Sequence, residues 1–142
     1  MGLPNLGYKA YIKFAAILKK RYKKPVIARI SGMTLEDNVT IFRAFNDSAV
    51  DIIEFNPGSP NTIGKPIVGY DVQEMDRLLE AVSKVCKKPW GIKLPPYFYL
   101  VHFEQIAKVL RKYPIDFVTC VNSIGNGLVI NPKTEKPLIK PK

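Results

Sequence analysis

Four short apolar runs in this chain, at residues 26–30, 50–55, 90–94 and 115–121, each end on or carry a polar group. Ser31 follows the first run, Asn56 the second, and Asn122 with Ser123 the fourth, while Lys93 stands inside the third. Taken singly, Asn, Ser and Gly are ordinary turn formers. A lysine within a buried strand is different, because a buried cation without a partner is costly. Four consecutive runs converging on polar groups point to one ligand-facing end. The other reactive types give less. The lone histidine, His102, stands near a helix start and reads as structural or capping. One imidazole gives little support to a histidine triad or a metal site. Cys86 and Cys120 have neither metal-ligand nor redox spacing; Cys120 falls in the fourth run and is expected to be buried and inert.

The elements that must carry these groups alternate. Residues 8–22 repeat apolar Tyr11, Phe14, Ala15 and Leu18 at helical spacing with lysines opposite, and Pro25 follows. The β-branched run 26–30 predicts a strand. Thr34 is placed to cap a second helix, with Glu36 and Asp37 in its positive first turn and Val39, Phe42 and Phe45 on its apolar face. A strand over 50–55 is followed by a long Gly- and Pro-rich loop, 56–70. Asp71 with Glu74 forms a capping-box-like pair ahead of Met75, Leu78, Leu79 and Val82. A third strand (90–94), a helix (100–112) and a fourth strand (115–121) follow. Segments 128–130 and 137–139 are spaced to pair as a hairpin. Strands alternating with helices imply a parallel α/β sheet, and such folds bind ligands at the C-terminal strand ends.

Composition narrows the class. The 142 residues are 46% hydrophobic and 24% charged, an ordinary globular balance that argues against disorder. No apolar run approaches the roughly 18 residues of a membrane span, and the opening lacks a signal-peptide layout. Two cysteines suggest a reducing compartment. The net charge of +10 raises nucleic acid as a partner. However, residues 1–30 hold eight basic and no acidic residues, and 131–142 hold four lysines and one glutamate. Residues 31–130 carry ten basic and eleven acidic residues. The helix lysines therefore read as a solvated face, and nucleic-acid binding is set aside.

Several blocks carry a resemblance to a known family. They are Asn56-Pro57-Gly58-Ser59-Pro60-Asn61, Gly64-Lys65-Pro66, Gly91-Ile92-Lys93-Leu94-Pro95-Pro96-Tyr97-Phe98, His102-Phe103, Val121-Asn122-Ser123-Ile124-Gly125-Asn126-Gly127-Leu128 and Ile139-Lys140-Pro141-Lys142. In order and over the whole chain they resemble dihydroorotate dehydrogenases, and within them the soluble, fumarate-linked class 1A, which the opening Met1-Gly2-Leu3-Pro4-Asn5 also fits. The resemblance implies a cytoplasmic FMN-dependent flavoprotein that oxidises (S)-dihydroorotate to orotate in pyrimidine (UMP) biosynthesis, with fumarate as electron acceptor; a homodimer is expected on the separate ground of open sheet edges. It assigns substrate binding to Met1, Gly2, Leu3, Asn56, Asn61, Asn122 and Ser123. It assigns flavin contacts to Asn56, Lys93 and Val121, and matches Lys142 to a family lysine beyond the hairpin. No metal is implied.

These roles suit the chemistry. The oxidation removes a proton from one ring carbon and a hydride from its neighbour. A base must therefore stand on the ring face opposite the flavin. Amides such as Asn both donate and accept, which suits a ring of alternating C=O and N–H groups. A lysine near the flavin stabilises negative charge there. The base position is Ser59, where class 1A carries a cysteine and the membrane-bound class a serine. Serine needs a neighbour or a water relay to take the proton. Pro57-Gly58 also departs from the class, replacing a small apolar residue and a serine.

A complete (β/α)₈ barrel takes about 250 residues. The chain is expected to form one partial barrel domain over 1–142, with about four central βα units, open sheet edges and an incomplete FMN site. Open edges favour association. The competing readings are a truncated or degenerate non-catalytic remnant acting as an interaction module, and a related pyrimidine-reducing barrel sharing the Asn-rich site.

Overall fold

The computed structural model describes residues 5–59, 66–124 and 128–138. Four parallel strands form one sheet in chain order: β1 (Ile27–Ile30), β2 (Ile52–Phe55), β3 (Trp90–Lys93) and β4 (Phe117–Thr119). The helices α1 (Tyr8–Tyr22), α2 (Leu35–Asn46), α3 (Val72–Ser83) and α4 (Leu100–Leu110) alternate with them. This is the expected α/β arrangement of a partial TIM barrel: a helix precedes each of the four strands, and three βα crossovers join them. A two-stranded antiparallel hairpin, β5 (Ile130–Asn131) and β6 (Lys136–Pro137), follows β4.

Local chemistry explains where the elements start. Thr34 caps α2 by accepting from the Asp37 N–H at 3.1 Å, while the Asp37 carboxylate accepts from the Thr34 N–H at 3.2 Å. Asp71 caps α3 by accepting from the N–H groups of Gln73 and Glu74. The Glu74 carboxylate pairs with Arg77 at 3.3 Å, so the reciprocal capping box belongs to α2. The described part of the loop read over 56–70 contains one 3-10 turn, Val68–Tyr70.

Two aspartates pin the sheet register. Asp51 donates its N–H to the Val26 carbonyl at 2.9 Å and accepts the Val26 N–H on its side chain at 2.7 Å. Asp116 does the same with Trp90, at 2.9 Å in both directions. Asp51 also pairs with Lys19 of α1, tying the first helix to the sheet.

The core lies between the sheet and its helices. Ile30, Ile53, Phe55, Trp90 and Ile92 face the helices and meet Phe42, Phe45, Met75, Leu79 and Val82. The Phe42 ring stands edge-on to Phe55 and Trp90, with centroids 5.5 and 5.7 Å away. Burying each such side chain contributes roughly 1.5–3 kcal/mol. Two expectations change here. Of the α1 stripe only Ala15 is buried, and Tyr11, Phe14 and Leu18 stay exposed, because little of the described chain lies over that face. Cys120 is exposed rather than buried. It lies just past the short β4, on the same side as the exposed Val118, and no described helix after β4 covers that side.

Candidate functional site

Alternation along the strands sends a second set of side chains to the face away from the helices. Arg29, Glu54, Gly91 and Phe117 form one row across the sheet by register. Asn56, Lys93 and Thr119 stand two residues further along, nearer the C-terminal strand ends. Gly91 is small by necessity: a Cβ there would stand 2.5 Å from the Phe117 ring. The Thr119 hydroxyl donates to the Glu54 carboxylate at 2.7 Å, joining β4 to β2 across the intervening β3. Nothing in the sequence paired these two. The only signal was Glu54 itself, a carboxylate within Ile-Ile-Glu-Phe.

Two of the expected residues, Asn56 and Asn122, meet at the strand ends. The Asn122 side-chain amide donates both hydrogens, one to Asn56 Oδ1 and one to the Gly58 carbonyl, each at 2.8 Å. Its oxygen accepts the Ser123 N–H at 2.9 Å. Asn56 and Asn122 are buried, with 8% and 9% of their surface exposed. That places one acceptor of the pair inside the protein while the Asn56 NH₂ makes no hydrogen bond to the described residues. Backbone bonds set the two asparagines: the Asn56 N–H donates to Ile30 at 2.9 Å and the Asn122 N–H to Leu94 at 2.8 Å.

Lys93 is half-buried at the end of β3. Among the described residues it makes no hydrogen bond or ion pair, so the partner that its burial calls for is not another side chain of these elements. Ser59 is half-buried at the start of the long loop. It borders a cavity of about 50 Å³ that it shares with Ser31, Met33, Asn38, Phe55 and Pro66. Its hydroxyl has no hydrogen-bonded base among the described residues. Ser123 and Val121 are exposed beside Asn122. Met1, Gly2, Leu3, Asn61 and Lys142 lie outside the described residues.

His102 does not cap its helix. Its ring stands edge-on to Tyr99 and Tyr97, at 5.7 and 6.4 Å between centroids. A cavity of about 280 Å³ opens there, between the Val68–Tyr70 turn and the start of α4, and none of the strand-end polar groups lines it. Tyr97 donates its hydroxyl to the Gly69 carbonyl at 2.5 Å, and burial, with Tyr70 and Cys120 adding to it, pushes its phenol up to about 12. Phe98, at the mouth of this cavity, is exposed. No group of three or more His, Cys, Asp or Glu side chains able to hold a metal occurs among the described residues. None of the described helices is long and apolar enough to cross a membrane.

The family model described as dihydroorotate dehydrogenase matches residues 1–142. The chain belongs to the dihydroorotate dehydrogenase family. It is 46% identical over 146 residues to a dihydroorotate dehydrogenase (fumarate) of Trypanosoma cruzi, covering 100% of this chain and 46% of the relative. A putative dihydroorotate dehydrogenase A (fumarate) of Streptococcus pyogenes serotype M1 is 47% identical over 144 residues, again covering all of this chain and 46% of the relative. The dihydroorotate dehydrogenase (fumarate) of Lachancea kluyveri is 42% identical over 145 residues, with the same coverage. The chain thus spans about half the length of the curated relatives it matches. These similarities bear out the class 1A resemblance drawn from the strand-end blocks.

Proposed function

We propose that this chain forms the central part of an FMN-dependent dehydrogenase that oxidises (S)-dihydroorotate to orotate in pyrimidine biosynthesis, with fumarate as the electron acceptor. The observation that carries the reading is the buried Asn56–Asn122 pair at the ends of parallel strands, beside a Lys93 that has no partner among the described residues. Its free capacity suits a ring with alternating donors and acceptors. The Asn56 NH₂ donates to a ring carbonyl or carboxylate, and the remaining lone pair of Asn122 Oδ1 accepts a ring N–H.

The residues present fit a flavin in part. Lys93 and the Asn56 NH₂ are two donors without partners among the described residues, on one side of the sheet, which is what a flavin's acceptor-rich edge requires. When bound, FMN supplies the hydride acceptor. Lys93 places a cation where negative charge develops, and in a site shielded from water such a charge counts for more. Ser59 holds the position from which a base takes the ring proton on the opposite face. Lacking a hydrogen-bonded base among the described residues, its hydroxyl passes that proton on through a relay. Met1, Gly2, Leu3, Asn61 and Ser123 complete the substrate contacts in this reading, and Val121 the flavin contacts. The FMN site is completed by chain outside these four units.

Two measurements test the proposal. Orotate added to the isotope-labelled chain is expected to shift the side-chain amide resonances of Asn56 and Asn122, and Asn56→Ala is expected to abolish binding. In the flavin-loaded enzyme, Ser59→Ala is expected to lower kcat by about 10²-fold or more, the range of a lost general base, while Ser59→Cys retains turnover. Asparagine resonances that stay still at millimolar orotate, or a Ser59→Ala enzyme with undiminished kcat, would overturn it.

A further inference from the structure

Two glycines grip Pro95 just past Lys93. A Cβ on Gly69 would stand 2.7 Å from both Cδ and Cγ of the Pro95 ring. A Cβ on Gly58 would stand 2.9 Å from the Pro95 main-chain nitrogen, 3.0 Å from Cδ and 3.2 Å from Cβ. Real Cβ atoms essentially never approach below 3.0 Å, so neither position admits a side chain without movement. The two contacts differ in kind. A Cβ on Gly69 would crowd only the Cγ and Cδ of Pro95, with the Gly58 Cα at an ordinary 3.6 Å, whereas a Cβ on Gly58 would meet the main-chain nitrogen of the segment that carries Lys93.

The same Gly58 offers its carbonyl to Asn122 at 2.8 Å. Its neighbour Pro57 accepts the Gly69 N–H at 3.2 Å. The Ser59 loop is therefore seated on the ends of β3 and β4 at once, and in this chain, where Gly58 replaces the class's serine, the seat is too close for a Cβ. We propose that Gly58 is a positioning residue: its missing side chain lets the loop rest on the Pro95 main chain with its carbonyl on Asn122, and so fixes Ser59 relative to Lys93. The role of Ser59 rests on the function proposed above, but the seating of the loop does not.

The readout is hydrogen exchange of the Asn122 side-chain amide, followed by NMR in the chain itself. Gly58→Ala is expected to accelerate it by about fivefold to tenfold, the scale of one lost hydrogen bond. Gly69→Ala crowds the same proline but leaves the Asn122 bond in place, so exchange there is expected to stay within about twofold. A Pro95→Ala background removes Cγ and Cδ. It is expected to restore the stability that Gly69→Ala costs, and to leave the fast exchange of Gly58→Ala unchanged. Equal behaviour of the two glycine variants, or rescue of Gly58→Ala by Pro95→Ala, would overturn the proposal. Should Gly58→Ala fail to fold, Pro95→Ala alone decides. Asn122 protection kept within about twofold supports seating on the main chain, and its loss shows that the ring holds the loop. A Ser59 that proves dispensable for turnover would sink the functional reading and leave these exchange rates as they are.

Discussion

Asn122 illustrates how much one side chain settles at this site. Both of its amide hydrogens are committed inside the protein, to Asn56 and to the Gly58 carbonyl. Asn122→Ala leaves two buried acceptors without donors, which costs roughly 1–3 kcal/mol for an unsatisfied buried group. Urea unfolding followed by circular dichroism is expected to show that loss as a lower midpoint at an unchanged slope. The position of Asn56, Lys93 and Asn122 was legible in the sequence, because Asn56 and Asn122 follow apolar runs and Lys93 stands inside one. Their commitments were not. Which hydrogen of Asn122 goes where depends on the register of β3 against β4 and on how closely Gly58 can approach, and neither is written in local composition. The Thr119–Glu54 bond was hidden for the same reason, since it joins residues 65 positions apart.

Helices and strands were more readable than the loops joining them. Helical spacing and capping residues gave α2 and α3 directly. Thr34→Ala removes the α2 cap and is expected to cost about 1 kcal/mol, measured as a shift of the urea midpoint. The turn at Val68–Tyr70 was masked by its Gly- and Pro-rich surroundings, and β4 is shorter than its apolar run. At the start of β2, Lys19 and then the Val26 N–H hold the Asp51 carboxyl below its ordinary value of 3.8. Lys112 and then Tyr113 do the same for Asp76 on α3. A carboxyl depressed in the folded state stabilises above its ordinary value and loses that contribution as pH falls through the folded one. Stability is therefore expected to decline once the pH falls toward 3.8 and below, and Asp51→Asn is expected to flatten part of that decline in a pH series of urea midpoints. On the alkaline side Tyr97 and Tyr113 are pushed up to about 12, mainly by burial. Tyrosine ionisation thus favours unfolding as pH rises through 10 toward 12.

Across the whole molecule, the sheet's outer strands β1 and β4 each lack a neighbour on one side among the described residues. The exposed apolar side chains of α1 and the run Phe98–Val101 add to the uncovered surface. Open edges and apolar faces promote pairing with other chains. Light scattering after size exclusion is expected to show a mass that rises with concentration; a monomer unchanged up to about millimolar concentration would contradict this. The +10 charge, placed toward the two ends, looked at first like a nucleic-acid signal. The structure offers a plainer account for the first cluster, since Lys19, Lys20 and Arg21 occupy the last turn of α1, where cations complement the helix dipole. The strand order carries one more consequence, for synthesis rather than for the finished fold. In the four-stranded sheet β2, β3 and β4 each pair with the strand made immediately before, across a connection with one α-helix among the described residues. The ribosome thus delivers each new strand to an edge that is already standing, and the sheet can grow in the order of translation without waiting for a distant segment.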